Sequence, residues 1–385
     1  MLNLQSLKVK VFNTDIAPMV LSLSMFETIK GNVRGTMTVL DNINFMDTFI
    51  DKHHAPLKVE FQYQARFWQN DFYIDGIESM KIEKSGKQYT VHFIANTTLQ
   101  NQIVTLNEAY SGRGDQIIKS IFKEACDGRL LMDTKTSQKG KYIVPNISAH
   151  KALSNVVSAC YDENSSGMFL YQRVCEEGIT RLTSLYDMEH NKFYEMSLIG
   201  TSTIKTVYKL RAAVSGATAD TDGIDPNIQI GTTSGFVLDE YNMNFVEKLS
   251  MGAYGKKIKN FKIDETKEEE FTPAERTHIP ETIFPLSKDL YDDHESSIFS
   301  LSCTPEASFA LNQKFRVYNQ RMTAPNVIAV PGLGCGYSID IESGGSNFSG
   351  TKTDTGYIVS HITHKFTMHD GNHQYAQDIG LIRGD

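Results

Sequence analysis

The fold prediction starts from one stretch, GYIVSHITHKFTMHDGNHQYAQDIGL at residues 356–381. Polar and apolar residues interleave along both halves of it, as they do in a β-strand with one buried face. The polar residues Asp370, Gly371 and Asn372 lie between the halves. Two alternating runs around a turn of this kind predict a β-hairpin.

A second stretch, FYIDGIESMKIEKSGKQYTVHFIAN at residues 72–96, has the same pattern. The matching pairs are Tyr73 with Tyr357, Ile74 with Ile358, Lys81 with Lys365, Ile82 with Phe366 and, with slips of one or two residues, Gly86 with Gly371 and Tyr89 with Tyr375. Two hairpins of one pattern indicate a duplicated β-module. Because turn chemistry and alternation are common, the hairpins alone leave open that the likeness is accidental.

The composition favours β structure and excludes some partners. A chain of 385 residues is long enough for about two to four domains, and an apolar content of 40% supports real cores. The aromatic content of 10%, together with many Val, Ile and Thr residues, is typical of strands. The net charge of −8 argues against a nucleic-acid groove, since phosphate neutralisation needs a basic surface. We therefore predict no specific nucleic-acid binding.

The cysteines and the hydropathy pattern predict assembly in a reducing cytosol. The five cysteines are odd in number and never form a CxxC pair, so a disulfide framework is not expected. The first four residues lack the basic region and apolar core of a signal peptide. No apolar run approaches the roughly 18 residues that span a bilayer. We expect a soluble protein, or a part of a soluble assembly, without a membrane partner.

The first half of the chain divides into a β-module and an insert. Alternating strands at residues 1–105 predict a compact, mostly antiparallel sheet or barrel, interrupted by a short helix at 42–50. Helical spacing then predicts one amphipathic helix from Asp115 and another from Ser148. Residues 106–200 are therefore predicted to form an inserted α/β domain.

The second half is predicted to begin another module at residues 201–265. This part contains a long loop at 212–235, rich in Ala, Gly, Thr and Asp, and a helix-like stretch at 240–251. Residues 266–300 form an irregular segment that packs on the insert. Residues 301–385 complete the second module, with a helix at 307–322, a polar loop at 343–355 and the terminal hairpin.

Candidate chemistry is sparse. The histidines His361, His364, His369 and His373 crowd the terminal hairpin, but His361 and His364 are an odd number of residues apart and face opposite sides of a strand. No metal site is predicted, although a site at a symmetry axis would escape this argument. The glycine run at 332–336 lies between strands and not before a helix, so we interpret it as a sheet corner rather than a dinucleotide loop.

No catalytic residue and no cofactor are predicted. The sequence has no G-x-S-x-G or H-E-x-x-H motif, and no S-x-x-K motif together with its companion motifs. Acidic pairs such as Asp239 with Glu240 and Asp292 with Asp293 could serve a glycosidase in principle. Nothing sets their spacing or burial, so solvated surface is the preferred interpretation.

Four stretches in order resemble the baseplate hub protein of contractile-tailed phages: residues 20–49, 147–173, 245–264 with the sequence MGAYG, and 331–364 with the final strand. The same core is found in the base of the type VI secretion spike and in phage late-control hub proteins. The resemblance implies a fold class of α+β, β-rich, with two similar tube-like antiparallel β-barrel modules and an inserted α/β domain.

The resemblance also implies a function and partners. Such a hub is a homotrimer whose six modules form a pseudo-sixfold ring around a channel for DNA. A trimeric spike protein sits on one face, the tail tube or a tube-initiator ring on the other, and a tape-measure protein in the lumen. The expected location is the baseplate of the phage tail in the virion, assembled in the host cytoplasm. In this family the modules pair edge to edge, within and between chains.

We therefore predict that Tyr73, Ile74, Tyr357 and Ile358 lie on edge strands at contacts between modules. Proline at Ile74 or Ile358 should then abolish trimers more than it harms secondary structure. Two other functions stay open at this point: a tail-tip cell-wall hydrolase and a carbohydrate-binding adhesin.

Overall fold

The protein is described from a computed structural model. The described residues are 4–46, 54–64, 66–83, 86–137, 139–164, 166–199, 202–210, 215–219, 233–239, 244–251, 320–330, 332–343, 352–369 and 371–383. The predicted elements at 252–319, and residues 47–50 of the predicted helix at 42–50, lie outside them.

The first module is an antiparallel sheet. Its strands are β1 (Ser6–Val11), β2 (Thr14–Asp15), β3 (Val20–Thr28), β4 (Arg34–Asp41), β5 (Pro56–Tyr63), β6 (Arg66–Glu83) and β7 (Gly86–Ala95). Their spatial order is β3-β4-β7-β6-β5-β1-β2. Buried and less buried residues alternate along β5 and β7, so one face of the sheet forms a core that includes Val9, Leu23, Val59 and Val91.

The insert follows directly and has its own core. Its elements are α1 (Asn96–Ile103), β8 (Thr105–Leu106), β9 (Ala109–Arg113), α2 (Gly114–Ala125), β10 (Arg129–Met132), β11 (Lys139–Ile143), β12 (Ile147–Ser148), α3 (Ala149–Ala159), β13 (Met168–Gln172), β14 (Ile179–Ser184) and α4 (Leu185–His190). The apolar faces of α2 and α3 pack together with Leu182 of β14. The Ser148 hydroxyl caps α3 by accepting from the Lys151 amide, as its position in the sequence predicts. Helix α1 was not predicted.

The second module comprises the rest of the described chain. Its strands are β15 (Tyr194–Ile199), β16 (Ser202–Val207), β17 (Lys209–Leu210), β18 (Ser215–Ala219), β19 (Thr233–Asp239), β20 (Asn244–Met251), β21 (Gln320–Ile328), β22 (Ser338–Ser343), β23 (Lys352–His369) and β24 (Asn372–Arg383). Strands β15 and β16, and β19 and β20, form separate two-stranded pairs. The others have the order β18-β21-β24-β23-β22-β17.

The two modules share a strand order. Their central four strands are β4-β7-β6-β5 and β21-β24-β23-β22, and all neighbours in both sets are antiparallel. In each module a hairpin made of the last two strands is flanked by the two strands that precede it. The edges β3 and β23 pair antiparallel, so both modules belong to one continuous sheet. The predicted β-rich class is confirmed.

The two hairpins carry a β-bulge at the same place. In β6–β7 the register shifts between Ile74 and Gly76, and in β23–β24 it shifts between Val359 and His361. A bulge is a specific local device and not a random defect. Because both hairpins have a bulge at this position, the bulge can be used to align them residue by residue.

This alignment corrects part of the sequence match. Counted along β7 and β24 from the shared bulge, Lys81 occupies the position of Lys365, as predicted. On the far side of the bulge, Tyr73 corresponds to Ile358 and not to Tyr357. The reason is a second register shift in β6, directly before Lys81, which adds one residue that β23 lacks.

Several predicted elements differ from the structure. The stretch 212–235 contains β18 and the start of β19, and the polar loop predicted at 343–355 is shorter, because β22 and β23 take residues from both of its ends. Within the helix predicted at 240–251, residues 244–251 form strand β20 instead. Phe245, Leu249 and Met251 are separated by even numbers, and pairing with β19 decides for a strand. Residues 320–322 belong to β21 instead of a helix.

No helix within the described ranges combines the length and the apolar character needed to cross a membrane.

Candidate functional site

The candidate site is the joint where the two modules and the insert meet. Strand β23 lies against β3 from His361 opposite Thr28 to Thr367 opposite Ser22. The start of this pairing follows directly after the bulge in β23. The joint thus uses a part of β23 that extends past β22, whose pairing with β23 ends at Ile358.

Glu27 of β3 is the centre of the joint and is fully buried. Its Oε1 accepts a hydrogen bond of 2.7 Å from the Cys335 amide in the second module. Its Oε2 accepts one of 2.5 Å from the Val174 amide in the insert. His364 Nε2 of β23 lies 3.5 Å from the same Oε2. One carboxylate therefore contacts all three parts of the chain, and hydrogen bonds to it are of the stronger, charge-assisted kind.

His364 continues this network into the second hairpin. Its Nδ1 lies 2.7 Å from the Tyr375 hydroxyl, which also accepts a hydrogen bond of 3.1 Å from Gln377 Nε2. The Gln377 Oε1 in turn accepts from the Val330 amide at 2.9 Å. Burial raises the pKa of Tyr375 well above its ordinary value, so the phenol keeps its proton.

The histidine cluster is thus divided among separate contacts. His364 is buried at the joint, whereas His361 Nδ1 contacts Ser360 Oγ and His373 Nε2 contacts the Val20 carbonyl. Within the described ranges, no group of three or more His, Cys, Asp or Glu side chains is arranged to hold a metal ion.

Arg173 of the insert also binds Cys335, which lies in the glycine run at 332–336. Its side chain is 1% exposed, its Nε donates to the Cys335 carbonyl at 2.7 Å, and its guanidinium stacks over the Tyr337 ring at 3.9 Å. Burial alone would lower the pKa of Arg173. The nearby side chains of Tyr171, Tyr337, Cys335 and Glu176 outweigh burial and raise that pKa. Glu27 and Arg173 therefore bind the amide and the carbonyl of one residue, Cys335.

A chain of ion pairs extends from Arg173 across the insert. Glu176 accepts from Arg173 at 3.4 Å and from Arg181 at 2.5 Å, and Arg181 also binds Asp133 at 2.8 Å. Burial alone would raise the pKa of Glu176, but the hydrogen bond from Arg181 and the two positive charges outweigh it and lower that pKa. Glu176 is therefore ionised at neutral pH and helps to fix Arg173.

The glycine run at 332–336 is the loop that Glu27 and Arg173 hold. A Cβ at Gly334 would lie 2.7 Å from Arg173 Cδ, and a Cβ at Gly336 would collide with the Tyr171 hydroxyl. Gly336 also has φ +79°, in the left-handed region. These glycines are needed for close approach of the insert, in agreement with the prediction of a corner instead of a phosphate loop.

The joint contains two free cysteines, of which Cys335 is buried and Cys175 is half-buried. Cys175 Sγ donates to the Gly332 carbonyl and Cys335 Sγ to the Gln172 carbonyl, at 3.8 and 3.6 Å. Burial raises the pKa of both thiols, with a further contribution from the Glu27 charge. Both stay protonated at neutral pH, which makes them packing groups and weak donors rather than nucleophiles.

None of the four predicted interface residues lies on a free strand edge. Ile74 is buried, and its amide donates to the Ala55 carbonyl at 2.9 Å; Tyr73 pairs with β5 and β7. Tyr357 and Ile358 are buried and pair with β22, and Ile358 also pairs with β24. The premise that these strands are free at these residues is corrected. Their role in contacts between chains stays a prediction.

This correction also changes the expected effect of proline at Ile74. Proline would remove the hydrogen bond to Ala55 and disturb a buried strand inside one chain. Harm to the module itself is now expected, not loss of assembly alone.

Sequence reasoning missed Glu27 and Arg173. A signal existed for Glu27, because the buried positions Leu23, Met25 and Glu27 alternate along β3 and place the carboxylate in a buried row. A charge in such a row needs partners. Arg173 directly follows the mostly buried strand β13 and gave no comparable signal.

No family model matches the chain, and no curated protein matches its sequence. Solved structures do match it over its full length. The 43 kDa tail protein of prophage MuSo2 from Shewanella oneidensis has a TM-score of 0.54 at 10% identity, with 98% of each chain covered. A tail protein from Neisseria meningitidis MC58 has a TM-score of 0.53 at 8% identity, with 98% of this chain and 96% of that chain covered.

The chain has the fold of these tail proteins. The resemblance to the tail hub family that the sequence predicts is confirmed at the level of the fold. A weaker match is the E. coli c3393 protein, described as a component of the type VI secretion system with structural similarity to the T4 tail proteins gp27 and gp5. Its TM-score is 0.48 at 10% identity, with 99% of this chain and 77% of that chain covered.

Proposed function

We propose that this chain is a structural hub protein in the baseplate of a contractile phage tail, acting without catalysis. The observation that carries the proposal is the pairing of β3 with β23, which joins two modules of one strand order edge to edge. Three such chains present six like units, and a homotrimer can then match a sixfold partner on one face and a threefold partner on the other.

The proposal assigns the partners as follows. Each module forms a tube-like barrel, and the six barrels make a pseudo-sixfold ring around a channel for DNA. The tail tube or its initiator ring binds one face, a trimeric spike binds the other, and a tape-measure protein occupies the lumen before DNA passes. The net charge of −8 suits a channel wall that does not retain DNA.

Native mass spectrometry tests the trimer. We expect a species of three times the chain mass of 43.3 kDa, and a low-resolution projection along its axis should show a ring with threefold or near-sixfold symmetry. A protein that stays monomeric or dimeric, even with its spike partner added, would contradict the proposal. Turnover of peptidoglycan that is lost when one carboxylate is changed would favour the hydrolase alternative instead.

A further inference from the structure

Helix α1 buries polar side chains where it packs against β6, β7 and α3. Thr97, Thr98 and Asn101 are each more than nine-tenths buried, whereas Ile103 is 61% exposed. Burial of a polar group costs free energy unless the group finds a hydrogen-bond partner. Apolar packing alone therefore does not explain why this helix lies between the first module and the insert.

A cavity of about 140 Å³ lies at the start of α1, between the first module and the insert. Three of its lining residues, which we call the floor, are more than nine-tenths buried: Asn70 of β6, Thr97 of α1 and Gln172 of β13. Asn70 Nδ2 donates to the Val174 carbonyl at 3.0 Å. Gln172 Nε2 donates to the Thr180 hydroxyl at 3.0 Å and to the Thr97 hydroxyl. These hydrogen bonds hold the amides and hydroxyls of the floor in fixed positions.

One acceptor at the cavity lacks a partner. Asn96, the first residue of α1, lines the cavity, and its Oδ1 is buried without a hydrogen-bond partner. A buried oxygen that has lost its hydrogen bonds to water bears the full cost of desolvation. Because a carbonyl oxygen only accepts, the missing partner is a donor.

The cavity is also negatively charged. Four carboxylates line it, those of Asp71, Asp127, Glu176 and Glu177, together with one guanidinium, that of Arg173. Glu176 already pairs with Arg173. Lys58 lies 3.5 Å from Asp71 but does not line the cavity, and no ion pair is found for Asp127 within the described ranges. The excess of carboxylates attracts a cation.

The donor set fits an organic cation better than a metal ion. Within the described part of the chain, no three His, Cys, Asp or Glu side chains are arranged to hold a metal. Asn96 Oδ1 instead needs an N–H donor, and the carboxylates need a positive charge. Ammonium and guanidinium groups supply both, because each is a cation with several N–H donors.

We propose that this cavity binds an ammonium or guanidinium group, whose charge is attracted by Asp127 and whose N–H groups donate to Asn96 Oδ1. Its volume equals that of about five water molecules, which suits a charged head group and not a cofactor or a polymer. Such a group comes either from a Lys or Arg side chain of a partner protein or from a free diamine. This site goes beyond the proposed hub function and does not depend on the trimer.

Ligand-detected NMR titration of the full-length chain at low salt tests the site. The probes are N-acetylarginine amide and N-acetyllysine amide, which represent a partner's side chain, and 1,4-diaminobutane, which represents a free diamine. Tetramethylammonium is the control, since it has the charge but no N–H group. We expect saturable binding of the N–H probes and none of tetramethylammonium. The probe that binds most tightly identifies the source.

Two substitutions locate the binding. Asp127→Asn removes an exposed carboxylate, and Asn96→Ala removes the unpartnered oxygen. Each should weaken the binding of the best probe by about tenfold, the loss expected for one hydrogen bond to a charged group. Without ligand, Asn96→Ala should leave the melting temperature unchanged, because the oxygen that it removes has no partner in the free chain.

Glu163→Gln is the matched control, since Glu163 is exposed and does not line the cavity. It should bind the best probe as the unmodified chain does, and circular dichroism should show the same fold for all three variants. Absence of saturable binding by every N–H probe, equal binding of tetramethylammonium, or full binding by both cavity variants would overturn the proposal. A chain that never forms trimers would leave it intact.

Discussion

The hairpins β6–β7 and β23–β24 share a strand order and a bulge but differ in what covers their outer edges. Past its bulge, β23 is covered by β3 and lies beside the buried Glu27. The corresponding half of β6 has no strand on its outer side within the described residues. Two hairpins of one strand order can therefore differ in whether their outer edge is used inside the chain.

The covered edge also carries a buried carboxylate. Through Glu27, the joint of β3 with β23 is tied to the insert and to the glycine loop at 332–336. We therefore expect this joint to resist opening.

The largest expected effect comes from removing the carboxylate of the covered edge. Glu27→Ala leaves two buried amides without their acceptor and removes the carboxylate that lies 3.5 Å from the His364 ring, so it should lower the free energy of unfolding by about 4 kcal/mol. The matched control is Glu78→Ala on the open edge, whose side chain is 72% exposed and which should cost less than about 0.5 kcal/mol. Urea denaturation measures both, and equal losses would break the comparison.

The next effect concerns the loop that the covered edge holds. Gly336→Ala places a methyl group against the Tyr171 hydroxyl at a φ of +79° and should cost about 3 kcal/mol. Gly371→Ala has nearly the same φ, +78°, but nothing within 4 Å, so it should cost only about 1 kcal/mol. Adding Tyr171→Phe to Gly336→Ala should recover part of the loss. Equal costs at the two glycines would mean that contact with the insert is not what constrains the loop.

A smaller effect is expected at Tyr375. Its hydroxyl contacts His364 and Gln377, so Tyr375→Phe should lower the free energy of unfolding by about 1 kcal/mol while its stacking on Phe366 is kept. Thermal unfolding at neutral pH is a suitable measurement. An unchanged midpoint would show that the network does not reach past His364.

The smallest effect is a pH dependence from the insert side of the joint. The pKa of Glu176 is lowered below its ordinary value of 4.5, so its contribution to stability is fully present above that value and is lost as the pH falls towards the lowered pKa. Glu176→Gln should therefore show a flatter fall of the melting temperature in this acidic range than the unmodified chain. Parallel curves for the two chains would exclude this contribution.

Much of the fold could be predicted because period-2 alternation marks each strand that has one buried face. It identified β3, β4 and both hairpins, and Ser148 marked the start of α3. The same signal could not show that Tyr73 corresponds to Ile358. The extra residue in β6 is visible only in the cross-strand pairing, which alternation does not encode. Helix α1 and strand β20 were missed for a related reason, because short apolar spacings fit more than one element.

The site was harder to predict than the fold. The joint depends on contacts between residues that are far apart in the sequence, such as Glu27 with Val174 and Cys335. A sequence shows that Glu27 occupies a buried row but not which amides meet it. Exposure of an edge likewise depends on the length of the neighbouring strand: β5 ends before β6 does, and so the predicted interface at Ile74 lies just before the open segment.

The position of Glu27 has a consequence for engineering. The insert, although it has a core of its own, is not a cassette that can be cut out and replaced by a short linker. Excising it would delete the Val174 amide and the Arg173 guanidinium together, and the carboxylate of Glu27 would remain in the joint with one of its two amide donors gone. A graft of a foreign domain at this point would need to carry an amide donor for Glu27, or the truncated chain would need a neutral residue in its place.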